Sequence, residues 1–177
     1  MIKYFLQITI IITSIISASC NEKSNKNNQP ETIAATPSES VVNNYNGPAG
    51  VPSFPMLDIN NNQLNSADLK GNLTLIFFNP DCDHCQREAQ SINGSKELFK
   101  SKQIYFVSVD ELDAIRKFRT DYGLTENNFH FAKSDVELVV RAMGPISSVP
   151  SMYFFKNGKM TGQMEGEKTA AELAAQM

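Results

Sequence analysis

Cys82 and Cys85 stand with two residues between them in FFNPDCDHCQREAQ, residues 77–90, after an apolar run and before a helix-like pattern. Two thiols at this spacing suit disulfide exchange, half of a metal site, or a structural crosslink. A helix start carries free N–H groups and a partial positive charge, so it favours a thiolate placed there. The thiolate is the reactive form of cysteine. A second cysteine three residues on lies within one helical turn, near enough to resolve a mixed disulfide. A zinc site wants about four ligands, often as two such pairs, and here only His84 and His130 could add nitrogen. A structural disulfide over so short a loop constrains little unfolded-chain entropy. The spacing therefore points first to redox exchange. Copper handling through Cys82, Cys85 and a histidine is the reading of a different class, because Cu(I) favours thiolates.

The elements around the pair must hold it at a strand-to-helix junction. LTLIFFN, residues 73–79, is a short apolar run rich in β-branched and aromatic residues, as in a strand buried on both faces. Residues 83–99 read as a moderately amphipathic helix. IYFVSVD, 104–110, is a second buried strand. Residues 111–123 have helical spacing at Leu112, Ile115, Phe118 and Tyr122, and Gly123 closes them. Residues 129–133 form a short strand, and 134–144 a helix with Ser134 as its cap and a glycine at its end. MYFFKNGKMTGQMEG reads as a hairpin about Asn157-Gly158. An Ala-rich helix, 168–177, ends the chain. Upstream, Asn60 to Asn62 tolerate positive φ and suit a tight turn in an N-terminal hairpin. Strands alternating with helices argue an α/β fold with parallel crossovers, and the late hairpin makes the central sheet mixed.

Outside this domain the chain changes character. One lysine, an apolar stretch from Tyr4 to Ile16 and small residues at 17–19 read as a secretory signal, residues 1–19. The apolar stretch is short for a membrane span, which needs about 20 residues. Cys20 follows directly, in a context that resembles a bacterial lipobox, although Ser17 holds the place where that pattern favours Leu. Three cysteines leave one odd thiol in an exported protein, and lipidation of Cys20 removes the oddity. It would also tie the chain to a membrane surface without a spanning helix. Residues 20–50 are rich in Asn, Ser, Pro, Glu and Lys with no apolar period, and read as a disordered tether. Residues 51–177 form the folded domain.

Net charge is −3, and −4 once Lys3 leaves with the signal. No basic field is available for phosphate backbones, so nucleic acid is excluded as a partner. Hydrophobic residues make up 41% of the chain, enough for a core even without tryptophan. No phosphate loop, G-x-G-x-x-G or H-E-x-x-H occurs.

LKGNLTLIFFNPDCDHCQREAQ together with SSVPSMYFFKNGK resembles the thioredoxin fold. More narrowly, the chain is similar to the membrane-tethered TlpA/ResA-like thiol–disulfide oxidoreductases over residues 51–177. The resemblance implies a thioredoxin-like α/β domain with helices flanking the sheet. It implies Cys82 as attacking thiolate, Cys85 as resolving thiol, and a cis proline at Pro150 facing them. Val149 beside it would pair with an incoming substrate strand. Glu88, three residues after Cys85 on the same helical face, holds the place of a glutamate implicated in proton handling. The buried aspartate of thioredoxin itself is replaced by Ile76. The chain departs from the family in having Asp81 where Trp is usual, and Asp83 and His84 where a proline usually stands between the cysteines. A protonated His84 would favour the Cys82 thiolate and Asp81 and Asp83 would oppose it, so His84 and Asp83 are expected to tune the potential. His before the second cysteine also occurs in oxidants and isomerases, which leaves reductase and oxidase both open. A peroxiredoxin reading is weaker, since Asn79 stands where that family wants Thr or Ser. Because the sulfurs carry the electrons, no bound cofactor or metal is expected. Expected partners are disulfide-bearing exported proteins, a membrane thiol donor implied by the resemblance, and the membrane itself through Cys20. A monomer in the bacterial cell envelope is expected, facing the periplasm or the exterior.

Overall fold

The computed structural model describes residues 50–177. The expected signal, Cys20 and all but the last residue of the tether lie outside the described residues. Among the described residues no helix is long and apolar enough to cross a membrane.

The domain opens on a hairpin, β1 (Pro55–Asp58) and β2 (Gln63–Asn65). The Asp58 carboxylate accepts the N–H groups of Asn60 and Asn62, each at 2.8 Å, and Asn61 takes the left-handed conformation at φ 66°. The Asn-rich centre is thus a turn for the reason its composition suggests. Next come β3 (Leu73–Phe77), α1 (Asp83–Gly94), β4 (Gln103–Ser108), α2 (Leu112–Asp121), β5 (Phe129–Lys133) and α3 (Val136–Met143). The chain finishes with β6 (Ser151–Lys156), β7 (Lys159–Glu165) and α4 (Ala170–Gln176). The seven strands form one sheet in the order β2-β1-β5-β4-β3-β6-β7. β3 pairs parallel with β4, and β4 with β5, while β6 runs antiparallel between β3 and β7. The sheet is mixed, as expected, and the N-terminal hairpin extends it through β1 beside β5.

Every residue of β3 is buried, so both sheet faces are covered. Leu73, Leu75 and Phe77 point to one core, shared with Phe54, Met56, Val139 and Phe155. Ile76 and Phe78 belong to the other, with Cys85, Ala89 and Ile92 of α1, Ile115 and Phe118 of α2 and Leu173 of α4. Aromatic rings fill the second core. Phe106 stacks on Phe131 with centroids 4.6 Å apart, and Phe78 meets Phe106, Phe118 and Phe131. α1 is thereby pressed onto the sheet by the same face that carries Cys85 and Glu88.

Two elements differ from the sequence reading. The helix expected over 83–99 stops at Gly94. Asn93, Gly94 and Ser95 are poor helix formers, and a separate 3-10 turn over Lys96–Phe99 delivers Phe99 to the core. The cap of α3 is Asp135, not Ser134. Its Oδ1 accepts the N–H of Glu137 at 2.8 Å, whereas Ser134 is buried and donates to the Pro55 carbonyl at 2.7 Å, tying β5 to β1.

Candidate active site

The strand β3 ends at Phe77 and the chain crosses to α1 through Phe78–Cys82. Side chains and backbone fix this crossing. Phe78 N–H donates to the Val107 carbonyl at 3.0 Å. The Asn79 side chain accepts the Asp81 N–H at 2.8 Å and donates to Asp110 at 3.1 Å, and Ser108 donates to the same carboxylate at 2.7 Å. Gln86 closes the loop from the helix side by donating to the Pro80 carbonyl. Asn79 is thus a scaffold residue, at the position where peroxide chemistry would want a hydroxyl.

Cys82 is the N-cap of α1 and its side chain makes no capping hydrogen bond. It is half-buried, and its sulfur donates to the Val149 carbonyl at 3.7 Å. The Val149–Pro150 peptide is cis. The structure therefore brings together Cys82, Val149 and Pro150, which are separated by more than sixty residues in sequence. Both thiols are free. Cys85, one turn on, is buried at 3% exposure. Burial pushes its thiol up to about 12; the Asn79 backbone opposes this, and Cys82 and the nearby charge of Glu88 add to it. Cys82 is reachable and Cys85 is a protected, reluctant acid.

Glu88 is only 2% exposed. Burial raises its carboxyl from an ordinary 4.5 to about 8, against the Lys168 N–H and the Lys168 charge, while Glu167 raises it further. The Lys168 N–H donates to Glu88 Oε2 at 2.9 Å. A solvated helix glutamate would show none of this. An acid poised near neutrality beside a thiol that must lose its proton is the arrangement general base catalysis needs.

His84 and Asp83 fall in the exposed first turn of α1. His84 does not turn its Nδ1 toward sulfur. That nitrogen lies 3.0 Å from Glu167 and 2.7 Å from Arg87 Nη2. His130 sits on β5, stacked on Tyr105 with centroids 4.4 Å apart and bonded to Gln103. Among the described residues no three His, Cys, Asp or Glu side chains gather as a metal-holding group. A cleft of about 550 Å³ opens beside Val149, lined by Ser148, His84, Glu167 and Lys168. Sequence reasoning missed Arg87, Glu167 and Lys168. Arg87 is one turn from His84, a spacing that could have flagged it. Glu167 is eighty residues from Arg87, and only the tertiary fold brings the two together.

The model of the AhpC/TSA family matches residues 49–158. No curated protein sequence matches significantly. Among solved structures, MTB DsbF is 20% identical, covering 73% of this chain and 95% of its own, with a TM-score of 0.61. A secreted Mycobacterium tuberculosis disulfide oxidoreductase homologous to E. coli DsbE is 19% identical over 70% of this chain and 92% of its own, TM-score 0.57. Arabidopsis thaliana ScoI with copper bound is 13% identical over 71% and 94%, TM-score 0.56. The fold is thioredoxin-like.

Proposed function

The chain belongs to the AhpC/TSA family, and we propose that it is an exported thiol–disulfide oxidoreductase that reduces disulfides in protein substrates through Cys82 and Cys85. The observation that carries this is the pairing of a reachable thiol at a helix start with a buried second thiol and a buried carboxyl one turn further on.

The Cys82 thiolate attacks one sulfur of the substrate disulfide. The substrate S–S bond breaks, a mixed disulfide forms and one substrate thiolate leaves. The Cys85 thiol gives its proton to the Glu88 carboxylate, and its sulfur attacks Cys82 sulfur. The Cys82–Cys85 disulfide forms and the second substrate thiol departs, so two electrons have passed from the pair to the substrate. A thiol donor, by resemblance one at the membrane, re-reduces the couple. The Val149 backbone and the cleft beside it receive the substrate chain. A stabilised attacking thiolate makes a couple more oxidising. His84, between the cysteines, directs its Nδ1 to Glu167 and Arg87 and not to sulfur, so that nitrogen gives the Cys82 thiolate no hydrogen bond. Export and attachment through a lipidated Cys20 belong to this proposal.

Cys85→Ser is the test. It is expected to accumulate mixed disulfides with exported proteins through Cys82, released by reductant, and Cys82→Ser is expected to trap none. Failure of Cys85→Ser to trap anything refutes the exchange mechanism. The likeness to a copper-bound protein favours one second reading, copper handling by the same thiols. It predicts tight Cu(I) binding by the reduced protein through Cys82 and Cys85, and loss of function on replacing His84; His130, held on β5 by Tyr105 and Gln103, is not one of the ligands it would use.

A further inference from the structure

The turn between β7 and α4, residues 166–169, touches three parts of the site around the cysteines. Gly166, at φ +71°, donates its N–H to the Pro150 carbonyl at 2.9 Å. Glu167 accepts from Arg87 Nε at 2.9 and 3.1 Å, and Arg87 Nη2 lies 2.7 Å from it. His84 Nδ1 lies 3.0 Å from the same carboxylate. Lys168 donates its N–H to Glu88. Thr169 then starts α4 through a capping box with Glu172, and Ala170 N–H donates to Ser91 of α1 at 3.0 Å. One short turn therefore bridges the cis proline, the residue between the cysteines and the buried carboxyl.

The Lys168 N–H is the one hydrogen bond made to Glu88 among the described residues. The titratable groups that face Glu88 are Cys85 on its own helix and Glu167 and Lys168 on the turn. We propose that Glu167 is a positioning residue for the exchange reaction: its carboxylate, gripped by the Arg87 guanidinium of α1 with His84 Nδ1 beside it, holds the turn so that the Lys168 N–H stays on Glu88. This rests on the reading of Glu88 as proton acceptor. The grip and the charge of Glu167 act on Glu88 with opposite signs. A negative charge nearby disfavours ionised Glu88, whereas an N–H donated to that ionised form favours it. Removing Glu167 relieves the first effect and loses the second, so the sign of the change tells them apart.

The experiment is a carbon-13 carboxyl titration of Glu88 in the reduced full chain, assigned by the signal missing in Glu88→Gln, alongside the pH profile of mixed-disulfide resolution. Glu167→Ala is expected to raise the Glu88 midpoint by about one pH unit, which slows resolution at pH 7 about tenfold. Glu167→Gln, which keeps an acceptor for Arg87, is expected to raise it less. A midpoint that falls means Glu167 acts only as a charge, and overturns the inference. A Glu167→Ala midpoint no higher than that of Glu167→Gln, which loses the same charge but keeps the acceptor, means the Pro150 and Ser91 bonds hold the turn without the grip, and overturns it too. In the unsubstituted protein the Glu88 titration and the resolution rate share one midpoint if Glu88 is the acceptor. Separate midpoints remove that reading, while the Glu167 result is still decided by the titration of Glu88 alone.

Discussion

Replacing Glu88 with glutamine is expected to flatten the pH dependence of stability between about pH 4.5 and pH 8. The folded protein holds a proton on Glu88 up to about pH 8, whereas the unfolded chain releases it near 4.5. Through that window the native state binds more protons than the unfolded state, so stability falls as pH rises. The contribution is complete below 4.5 and lost once the pH passes about 8. At about 1.4 kcal/mol per pH unit, the full window is worth on the order of 5 kcal/mol, a ceiling because water enters when a buried acid ionises. Glutamine keeps the size and an oxygen for the Lys168 N–H but does not titrate. Wild type and Glu88→Gln are therefore compared by urea unfolding of the reduced protein at pH 5 to 9. Their stability difference should move by several kcal/mol in favour of the variant as pH rises. The same variant should resolve mixed disulfides about a hundredfold more slowly at pH 8, where wild type has its carboxylate half formed. Parallel stability curves would mean that Glu88 titrates as a surface carboxylate despite its burial.

His84→Ala is expected to shift the reduction potential by less than about 30 mV, a factor of ten in the exchange equilibrium. The ring is mostly exposed and its Nδ1 serves Glu167 and Arg87, and a larger shift in a glutathione titration would contradict that placement. Asp135→Ala is expected to cost about 1 kcal/mol in urea unfolding through loss of the α3 cap, whereas a change below about 0.2 kcal/mol would mean the cap is dispensable.

The residues proposed for the chemistry were legible because their signal is local. A strand feeding a helix start, two thiols one turn apart and a carboxyl one turn further all lie within sixteen residues, 73–88. Pro150 and Val149 came from resemblance, and the fold places them against Cys82. The order of elements along the chain and the mixed character of the sheet were also readable, since buried runs alternate with helical spacing; the order of strands across the sheet was not. Helix ends were less so. Ser134 and Asp135 are both good caps, and choosing between them depends on whether the serine hydroxyl is claimed by Pro55 across the sheet. The role of His84 was the hardest to read. Sequence sets it between the cysteines and suggests tuning by charge. Its partners are Glu167, which arrives from the far end of the chain, and Arg87, which lies one turn on. Glu88 shows the same limit in a milder form: its helical phase was evident, but its burial depends on α4 and the turn before it.

The reduction potential of the Cys82–Cys85 couple, measured on the full chain in glutathione and dithiothreitol buffers, decides whether the pair exchanges disulfides and in which direction. A reductase is expected to show a reversible two-electron couple at about −250 mV or lower. A value near about −120 mV would contradict the reducing direction, and the absence of any reversible couple in the native protein would contradict disulfide exchange itself.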